Sequence, residues 1–457
     1  MEQLYSTSRR YSCGIVDAVL DSNVLRDNTT KLIAEWPILG GKLQNNAWPW
    51  TFTCGSHVDF ESRAVDLPLS TYLPIGRRHS DKPTVIQSLD LVETDPKFIF
   101  NTSCTSDTIF KLRVTVLQNA TLLCFGTTHF LTDGTSCFDT IKAFCNLLSN
   151  KPIPSFVLPP DTQGIRISDT VNTDGENGEN NRGHTRYGDC ENYFDYGILK
   201  LGKLVCRVML GKVCKTLGLT ERLTERFIQI PRTWVDRARA QAEKELKSSP
   251  RDCALNVTRN DIIAACYLKV LYSTHPPTQD AVHFFGPVDY RPFIKPPDPG
   301  TYYIHNSFAF LRCKFSVHQL QTEPISNIAL IIRQVTVLSK SSSSVRQYLR
   351  FSEDHASNIV ALNYCGGANP PIVILSPWTT FDFTNLDFSG AGLEANKPSV
   401  TFVNPIVTIP PEHAVGPIII TGKDASGDYW IRASNTWAGW ERFSQVGGME
   451  SLFPSGK

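Results

Sequence analysis

One short stretch of the chain has the makings of a reaction centre. His129-Phe130-Leu131-Thr132-Asp133-Gly134 follows a run rich in apolar and β-branched residues, Leu122 to Thr128, that reads as a strand. It precedes CFDTIKAFCNLL, where Phe138, Ile141, Cys145 and Leu148 recur at spacings of three and four and define one apolar helix face. A histidine therefore stands where a strand ends and a helix begins, a common place for reacting groups in mixed sheets. Imidazole titrates near neutrality, so a histidine held there can take the proton of a hydroxyl at physiological pH. Asp133 allows two arrangements: its carboxylate accepts from the imidazole, or it turns away and holds the loop. Gly134 permits a tight turn and close backbone approach. A pattern this short recurs by chance, so the rest of the chain has to decide what it means.

Several chemistries lack their signatures. The sequence has no G-x-S-x-G elbow, no H-E-x-x-H, no P-loop and no G-x-G-x-x-G, which sets aside the usual serine hydrolases, zinc proteases, nucleotide kinases and dehydrogenases. Lys and Arg number 45 against 44 Asp and Glu, a net charge of +1, so the chain as a whole has no field for a nucleic acid or an anionic membrane, and any basic site has to be local. No run of about 18 apolar residues occurs, and the start, MEQLYSTSRR, is polar, so a cytoplasmic protein that neither spans a membrane nor is secreted is expected. The 13 cysteines are odd in number, irregular in spacing and without C-x-x-C; Cys124 in TLLCFG and Cys266 in AACYL illustrate the expectation of reduced core thiols.

The elements that must position the motif can be read in outline. Ser22 to Leu43 has helical spacing and ends in Gly40-Gly41, a plausible stop. Arg113 to Leu117 and Leu122 to Thr128 form two strands around Gln118-Asn119-Ala120. From Pro159 to about Asn192 the chain turns polar and Gly/Asn-rich, a crossover loop over about 160–192. Residues 193–225 are apolar and basic again, consistent with a helix. The second half opens with the strand RFIQIP and the charged helix RTWVDRARAQAEKEL. Thr258, three residues before Asp261, makes a capping-box start to the helix DIIAACYLKVL. Strands follow at HFFGPVDY and SFAFLRCKF, helices near 324–340 and 343–357, and strands at IVILSPW, SVTFV, PIIIT and YWIRA. Strands and helices in mixed order in each half predict an α/β protein of two similar units, 1–192 and 193–457.

Four stretches, in this order, resemble the BAHD acyltransferase family, its fungal branch more than its plant one. They are IAEWPILGGKL; THFLTDG; TRNDIIAACYLKVL with VDYRPFIKPPDPGTYYIHNSF; and ILSPWTTFDFTNLDFSGAG. The resemblance spans residues 20–400 in outline, which is far more specific than any single stretch. It implies two chloramphenicol-acetyltransferase-like domains, each a mixed β-sheet with flanking helices, and an active-site channel at their interface. Acyl-CoA, with acetyl-CoA the expected donor, enters from one face and a small-molecule alcohol from the other, with no permanently bound cofactor. His129 is implied as general base. Asp133 is implied to face away from substrate and pair with Arg291 of VDYR, beside Gly134. Ser376, Trp378 and Asn306 fall where the family contacts its substrates. Asp387, Phe388 and Gly390 match its D-F-G-W-G element, which reads D-F-S-G-A here: Ser389 replaces the first glycine and the tryptophan is absent. An oxyanion role for that tryptophan does not carry over.

The implied reaction is direct transfer of an acyl group to a hydroxyl, without an acyl-enzyme, since no activated Ser or Cys is recognisable. Two other readings stay open: a relative repurposed for dehydration, isomerisation or carrier-bound release, which the altered D-F-S-G-A-G permits, and a catalytically silent binding protein, against which the intact His129, Asp133 and Gly134 argue. A monomer is expected. His305 is assigned a surface or supporting role, Arg77, Arg78 and His79 a solvated loop, and the NTWAGWERF run helix packing near the C-terminus. No group of His, Cys, Asp and Glu has ligand spacing, so no metal is expected. Activity should survive chelators; loss in EDTA that one divalent ion restores would overturn this.

Overall fold

A computed structural model describes residues 9–44, 51–72, 81–86, 108–129, 131–157, 166–172, 223–248, 255–275, 281–294, 301–354, 372–394, 397–407, 418–445 and 448–452, with scattered positions between 206 and 218. The first half runs β1 (Arg9–Val16), α1 (Ser22–Glu35), β2 (Lys42–Gln44), β3 (Thr51–Thr53), β4 (Phe60–Ala64) and β5 (Thr84–Ile86). It continues with β6 (Phe110–Val116), β7 (Thr121–Thr128), α2 (Gly134–Leu148) and β8 (Phe156–Val157). The second half begins with β9 (Leu223–Ile230), α3 (Arg232–Ser248), α4 (Arg259–Tyr272), β10 (Ala281–Asp289), β11 (Tyr302–Tyr303) and β12 (Phe308–Ser316). There follow α5 (Val317–Thr322), α6 (Ile325–Ser339), α7 (Ser342–Asp354), β13 (Ile372–Pro377), β14 (Val400–Val407), β15 (Ile418–Lys423), β16 (Tyr429–Thr436) and α8 (Trp437–Gln445). Most of the crossover loop expected over 160–192, and Arg77, Arg78 and His79, lie outside the described residues.

Two mixed sheets carry the architecture. One has the order β14-β1-β7-β6-β4, the other β12-β10-β13-β15-β16-β9-β5. Each sheet takes a strand from the other half of the chain. β14 pairs antiparallel with β1, and β5 pairs antiparallel with β9. The exchange ties the two sheets together through backbone hydrogen bonds.

Strand β7, which ends at the motif, is central in its sheet and buried on both faces. Leu123 and Phe125 pack into a core with α1 and α2. Leu122 and Cys124 point the other way, into a core shared with Phe227 and Trp430 of the second sheet. Two buried faces explain why this strand reads as a continuous apolar run and not as an alternation. Helix α2 lays Cys137, Ile141, Phe144, Cys145 and Leu148 against the first core, and Phe144 meets Phe125 edge-on with ring centroids 5.6 Å apart. The second sheet is covered by α3, α4 and α6; α4 starts from the expected capping box, with Thr258 and Asp261 satisfying each other's backbone N–H groups.

Three expectations need correction. Helix α1 stops at Glu35 and does not run to Gly40-Gly41. Pro37 lacks an N–H and pushes the preceding Trp36 out of helical geometry. The two glycines serve close packing instead, since a Cβ on Gly41 would lie 1.5 Å from the Thr53 carbonyl oxygen. Not every thiol is buried: Cys13, Cys124, Cys137, Cys145, Cys266 and Cys313 are, whereas Cys54 and Cys206 are exposed. Of the two tryptophans in α8 only Trp440 packs inward, and Trp437 is exposed. Among the described residues no helix is long and apolar enough to cross a membrane.

Candidate active site

Asp133 is the N-cap of α2. Its Oδ1 accepts from the Ser136 backbone N–H at 2.9 Å and from the Ser136 hydroxyl at 2.9 Å, while that hydroxyl also receives the Asp133 N–H. The carboxylate thus satisfies the orphan donors of the helix start, where a negative charge is also favoured by the helix dipole. On its other side it receives two groups from the second half. The Arg291 guanidinium lies 3.0 Å from Oδ2, and the Ser307 backbone N–H donates to the same oxygen at 2.7 Å. Asp133 and Arg291 are both nearly buried, with side-chain exposures of 6% and 10%. Burial alone would raise the Asp133 pKa, but the Arg291 charge and the Ser136 and Ser307 hydrogen bonds outweigh it and hold the carboxyl below its ordinary value.

Arg291 is spent on several partners at once. Its Nε donates to the Tyr303 carbonyl at 3.0 Å, Nη2 to the His305 carbonyl at 2.6 Å, and Nη1 to Asp289 at 3.1 Å. The same cation leaves Asp289 with a raised pKa: burial dominates, Arg291 offsets only part of it, and the Asp133 charge adds repulsion. The two carboxylates that share Arg291 are therefore pushed in opposite directions. The extra donors from Ser136 and Ser307 make the difference in favour of an ionised Asp133. Burial lowers the Arg291 pKa, yet Asp133 and its other partners raise it overall, so the guanidinium stays charged. Its face lies 5.8 Å from the Tyr302 ring centroid, and Tyr302 stacks on Trp36 at 6.2 Å. The Trp36-Pro37 segment at the end of α1 is in this way part of the same assembly.

His129 follows β7 directly and is half-buried, with its ring 6.3 Å from that of Phe308. Its carbonyl accepts from the Asn306 side chain at 2.7 Å, and the Asn306 carbonyl accepts from the Tyr290 hydroxyl at 3.1 Å. Residues 305–307 act as a strut: His305 holds Arg291, Asn306 holds the His129 backbone, and Ser307 holds Asp133. His305 is not on the surface. It is 8% exposed, neither ring nitrogen has a hydrogen-bond partner among the described residues, and burial followed by the Arg291 charge pushes its pKa down to about 4. Among the described residues no group of His, Cys, Asp and Glu is placed to hold a metal ion.

With this geometry in view, the relatives of the chain decide its family. No family model matches it. It is 40% identical over 474 residues to the acetyltransferase peniE of Penicillium patulum, covering 98% of this chain and 96% of that one. It is 21% identical to the acetyltransferase adrJ of Penicillium roqueforti over 91% of this chain and 87% of the other. Its fold matches TRI101 of F. sporotrichioides, solved with coenzyme A and T-2, with a TM-score of 0.65 at 13% identity over 97% of this chain and 95% of that one. Vinorine synthase matches with a TM-score of 0.56 at 13% identity, over 96% and 90% of the two chains. The chain belongs to the BAHD acyltransferase family. It has that family's fold of two chloramphenicol-acetyltransferase-like domains, each a mixed sheet flanked by helices, and is an acyltransferase for groups other than amino-acyl.

The other sequence candidates of this acyltransferase are distributed unevenly around the motif. Gly134 is the first residue of α2. Asn306 reaches the His129 backbone, and its amide N–H helps to hold the loop. Trp378 does not line an opening: it is 1% exposed, stacks on Phe383 at 6.1 Å and meets Phe381 edge-on at 5.4 Å. Phe381 in turn stacks at 5.2 Å on Phe138 of α2, so Trp378 belongs to the packing behind that helix. Ser376 is half-buried in β13, opposite Ile419 of β15. The D-F-S-G-A element grips the far end of α2. Phe388 is buried in the same core, and Asp387 accepts from the Ser149 hydroxyl at 3.4 Å and the Ser389 N–H at 3.0 Å. A Cβ on Gly390 would lie 1.9 Å from the Leu148 carbonyl oxygen, which explains a glycine at that position.

Sequence reading did not find Ser136, Ser307 or Asp289. Ser136 carried a signal, an N3 hydroxyl three residues after an Asp N-cap. Asp289 carried one too, standing two residues before Arg291. Ser307 acts through its backbone N–H and carries none.

Two predictions follow from the clamp on α2. Arg291→Ala leaves the buried Asp133 carboxylate without its countercharge, and Asp133→Asn leaves Arg291 with Asp289 alone; breaking a buried pair typically costs about 3–5 kcal/mol. Both should lower the thermal midpoint as well as turnover, and Arg291→Lys should rescue poorly because a single ammonium cannot span the carboxylate and two carbonyls. An unchanged midpoint in Asp133→Asn would overturn the structural role. Gly390→Ala should destabilise by about 1–3 kcal/mol through overpacking against backbone, read as a lower denaturation midpoint; a wild-type midpoint would show that the 387–391 turn can yield.

Proposed function

We propose that the protein is a CoA-dependent O-acyltransferase of the H-x-x-x-D type, from the fungal branch of its family. It moves an acyl group, expected to be acetyl, from acyl-CoA to a hydroxyl of a small-molecule secondary metabolite. The names of the two curated relatives support acetyl as the group transferred. The TRI101 complexes with coenzyme A and T-2, and with coenzyme A and deoxynivalenol, support the donor and the class of acceptor.

The observation that carries the mechanism is the commitment of Asp133. Its carboxylate is engaged by Arg291, Ser136 and Ser307, so the acid–base work of the motif falls to His129. In this reading His129 takes the proton of the acceptor hydroxyl, and the oxygen attacks the thioester carbonyl. The tetrahedral oxyanion collapses, the C–S bond breaks, and the CoA sulfur leaves with the proton from His129. Asp133, Gly134, Arg291 and Asn306 position the loop that carries the base. Units 1–192 and 193–457 act as the two domains, with the substrate channel between them, in a cytoplasmic monomer.

The test is incubation with acetyl-CoA and a panel of hydroxylated natural products, scored by free thiol and product mass. His129→Ala should keep the wild-type midpoint and lose about 10²–10⁴ in turnover, the usual worth of a general base. Near-wild-type turnover in a folded variant would overturn the assignment. Thiol release at the hydrolytic background with every acceptor would overturn transfer to a hydroxyl.

A further inference from the structure

One face of the second sheet changes character along its length. β12 stands at one end of that sheet, beside β10, and β10 is followed by β13. Successive residues of each strand divide between two faces. Leu311, Cys313 and Phe315 of β12, Phe284 of β10, and Val373 and Leu375 of β13 enter the core under α3, α4 and α6. The other face of β12 carries Phe308, Phe310 and Arg312, all half-buried, and then Lys314, which is exposed. An open strand face is ordinarily polar, as this one is at Arg312 and Lys314. Toward His129 it is aromatic instead. The His129 and Phe308 ring centroids are 6.3 Å apart, Phe308 meets Phe310 edge-on at 5.2 Å, and Phe310 meets Phe285 of β10 edge-on at 6.2 Å. Phe285 is itself buried and lies opposite Ile374 of β13, which is 37% exposed on the same face. The apolar surface within reach is therefore Phe308, Phe310 and Ile374, and it starts at the histidine of the motif.

We propose that this strip seats the carbon skeleton of the acceptor, and that the acceptor is a rigid, weakly polar, fused-ring alcohol whose hydroxyl reaches His129. The proposal rests on the transferase reading above, in which His129 is the base. Strand spacing of about 4.8 Å across β12, β10 and β13, and a rise of about 3.3 Å per residue from Phe308 to Arg312, give a surface of roughly 10 by 13 Å. Fused rings cover such a surface as one stiff body and lose little conformational freedom, whereas an open chain of the same area has to be ordered. Arg312 and Lys314 mark where the apolar part ends; the Arg312 Nε there donates to Nδ1 of His283 at 3.1 Å. The pantetheine arm of CoA is the competing occupant. Its amides need hydrogen-bond partners, which ring faces and the Ile374 side chain do not supply.

The full chain is assayed by thiol release from acetyl-CoA with decalol, a fused pair of rings, and with cyclohexanol, a single one. Both alcohols are also titrated without donor, by intrinsic fluorescence. Decalol should be preferred at least about tenfold in kcat/KM and in binding, and Phe310→Ala should raise its KM at least about tenfold with kcat and the acetyl-CoA KM within about twofold. Ile374→Ser should raise the decalol KM at an unchanged thermal midpoint, since its side chain is exposed. Lys314→Ser, beyond the strip, should change neither KM. No preference for decalol over cyclohexanol in either readout, or a decalol KM that neither Phe310→Ala nor Ile374→Ser shifts, would overturn the proposal. So would a raised acetyl-CoA KM in Phe310→Ala or Lys314→Ser, which would assign the strip to the CoA arm. Decalol binding that Phe310→Ala weakens, with no thiol release from any acceptor, would instead overturn the transferase reading and support the strip as a fused-ring site.

Discussion

The Asp133 carboxylate ties the motif to both halves of the chain. It caps helix α2, receives the guanidinium of Arg291 and accepts the backbone N–H of Ser307, and only the first of these ties lies in its own half of the chain. A buried ion pair of this kind contributes little net stability when intact, because desolvation of both charges offsets their attraction. Its value lies in geometry. Arg291 spreads over Asp133, Asp289 and the carbonyls of Tyr303 and His305, so moving Asp133 breaks bonds on several segments at once. The loop between β7 and α2 is fixed because its anchor is bound to so many others.

This arrangement separates the two residues of the motif by role. A carboxylate that orients a histidine must spend an oxygen on the imidazole. Here Oδ1 serves the helix start and also accepts from Arg291, Oδ2 serves Arg291 and Ser307, and His129 is held through its backbone by Asn306. The two ties on the loop come from consecutive residues of one strut, Asn306 and Ser307. The far end of α2 is gripped by the turn at 387–391, where Gly390 packs against the last helical carbonyl. The departure from D-F-G-W-G leaves Asp387 and Phe388 of this grip unaltered, while Gly390, which packs against the Leu148 carbonyl, stands where the pattern has tryptophan.

What was legible in the sequence follows physical rules. Helices with one apolar face and a cap, such as α2 and α4, and strands bounded by turn residues, such as β6 and β7, announce themselves locally. The end of α1 was misjudged because Gly40-Gly41 looks like a stop, whereas Pro37 acts first and the glycines are needed for a close strand approach. Strand exchange between the sheets left no local trace: SVTFV reads as a strand, but nothing in it says that its partner is β1. Trp378 was expected at a substrate surface from its motif alone. The phenylalanines that bury it, Phe381 and Phe383, follow within the same stretch, but aromatic residues near a tryptophan do not say on which side of a helix they close.

The exchange of strands bears on how the site can move. With β14 in the first sheet and β5 in the second, sliding the halves past each other would break paired backbone hydrogen bonds along β1 and β9. The Trp36–Tyr302–Arg291 stack adds a contact that also spans both halves. These ties oppose sliding of one half past the other. If His129 is the base proposed above, a loop held from the opposite half costs it little orientational freedom when substrate arrives, which keeps more binding energy for the transition state.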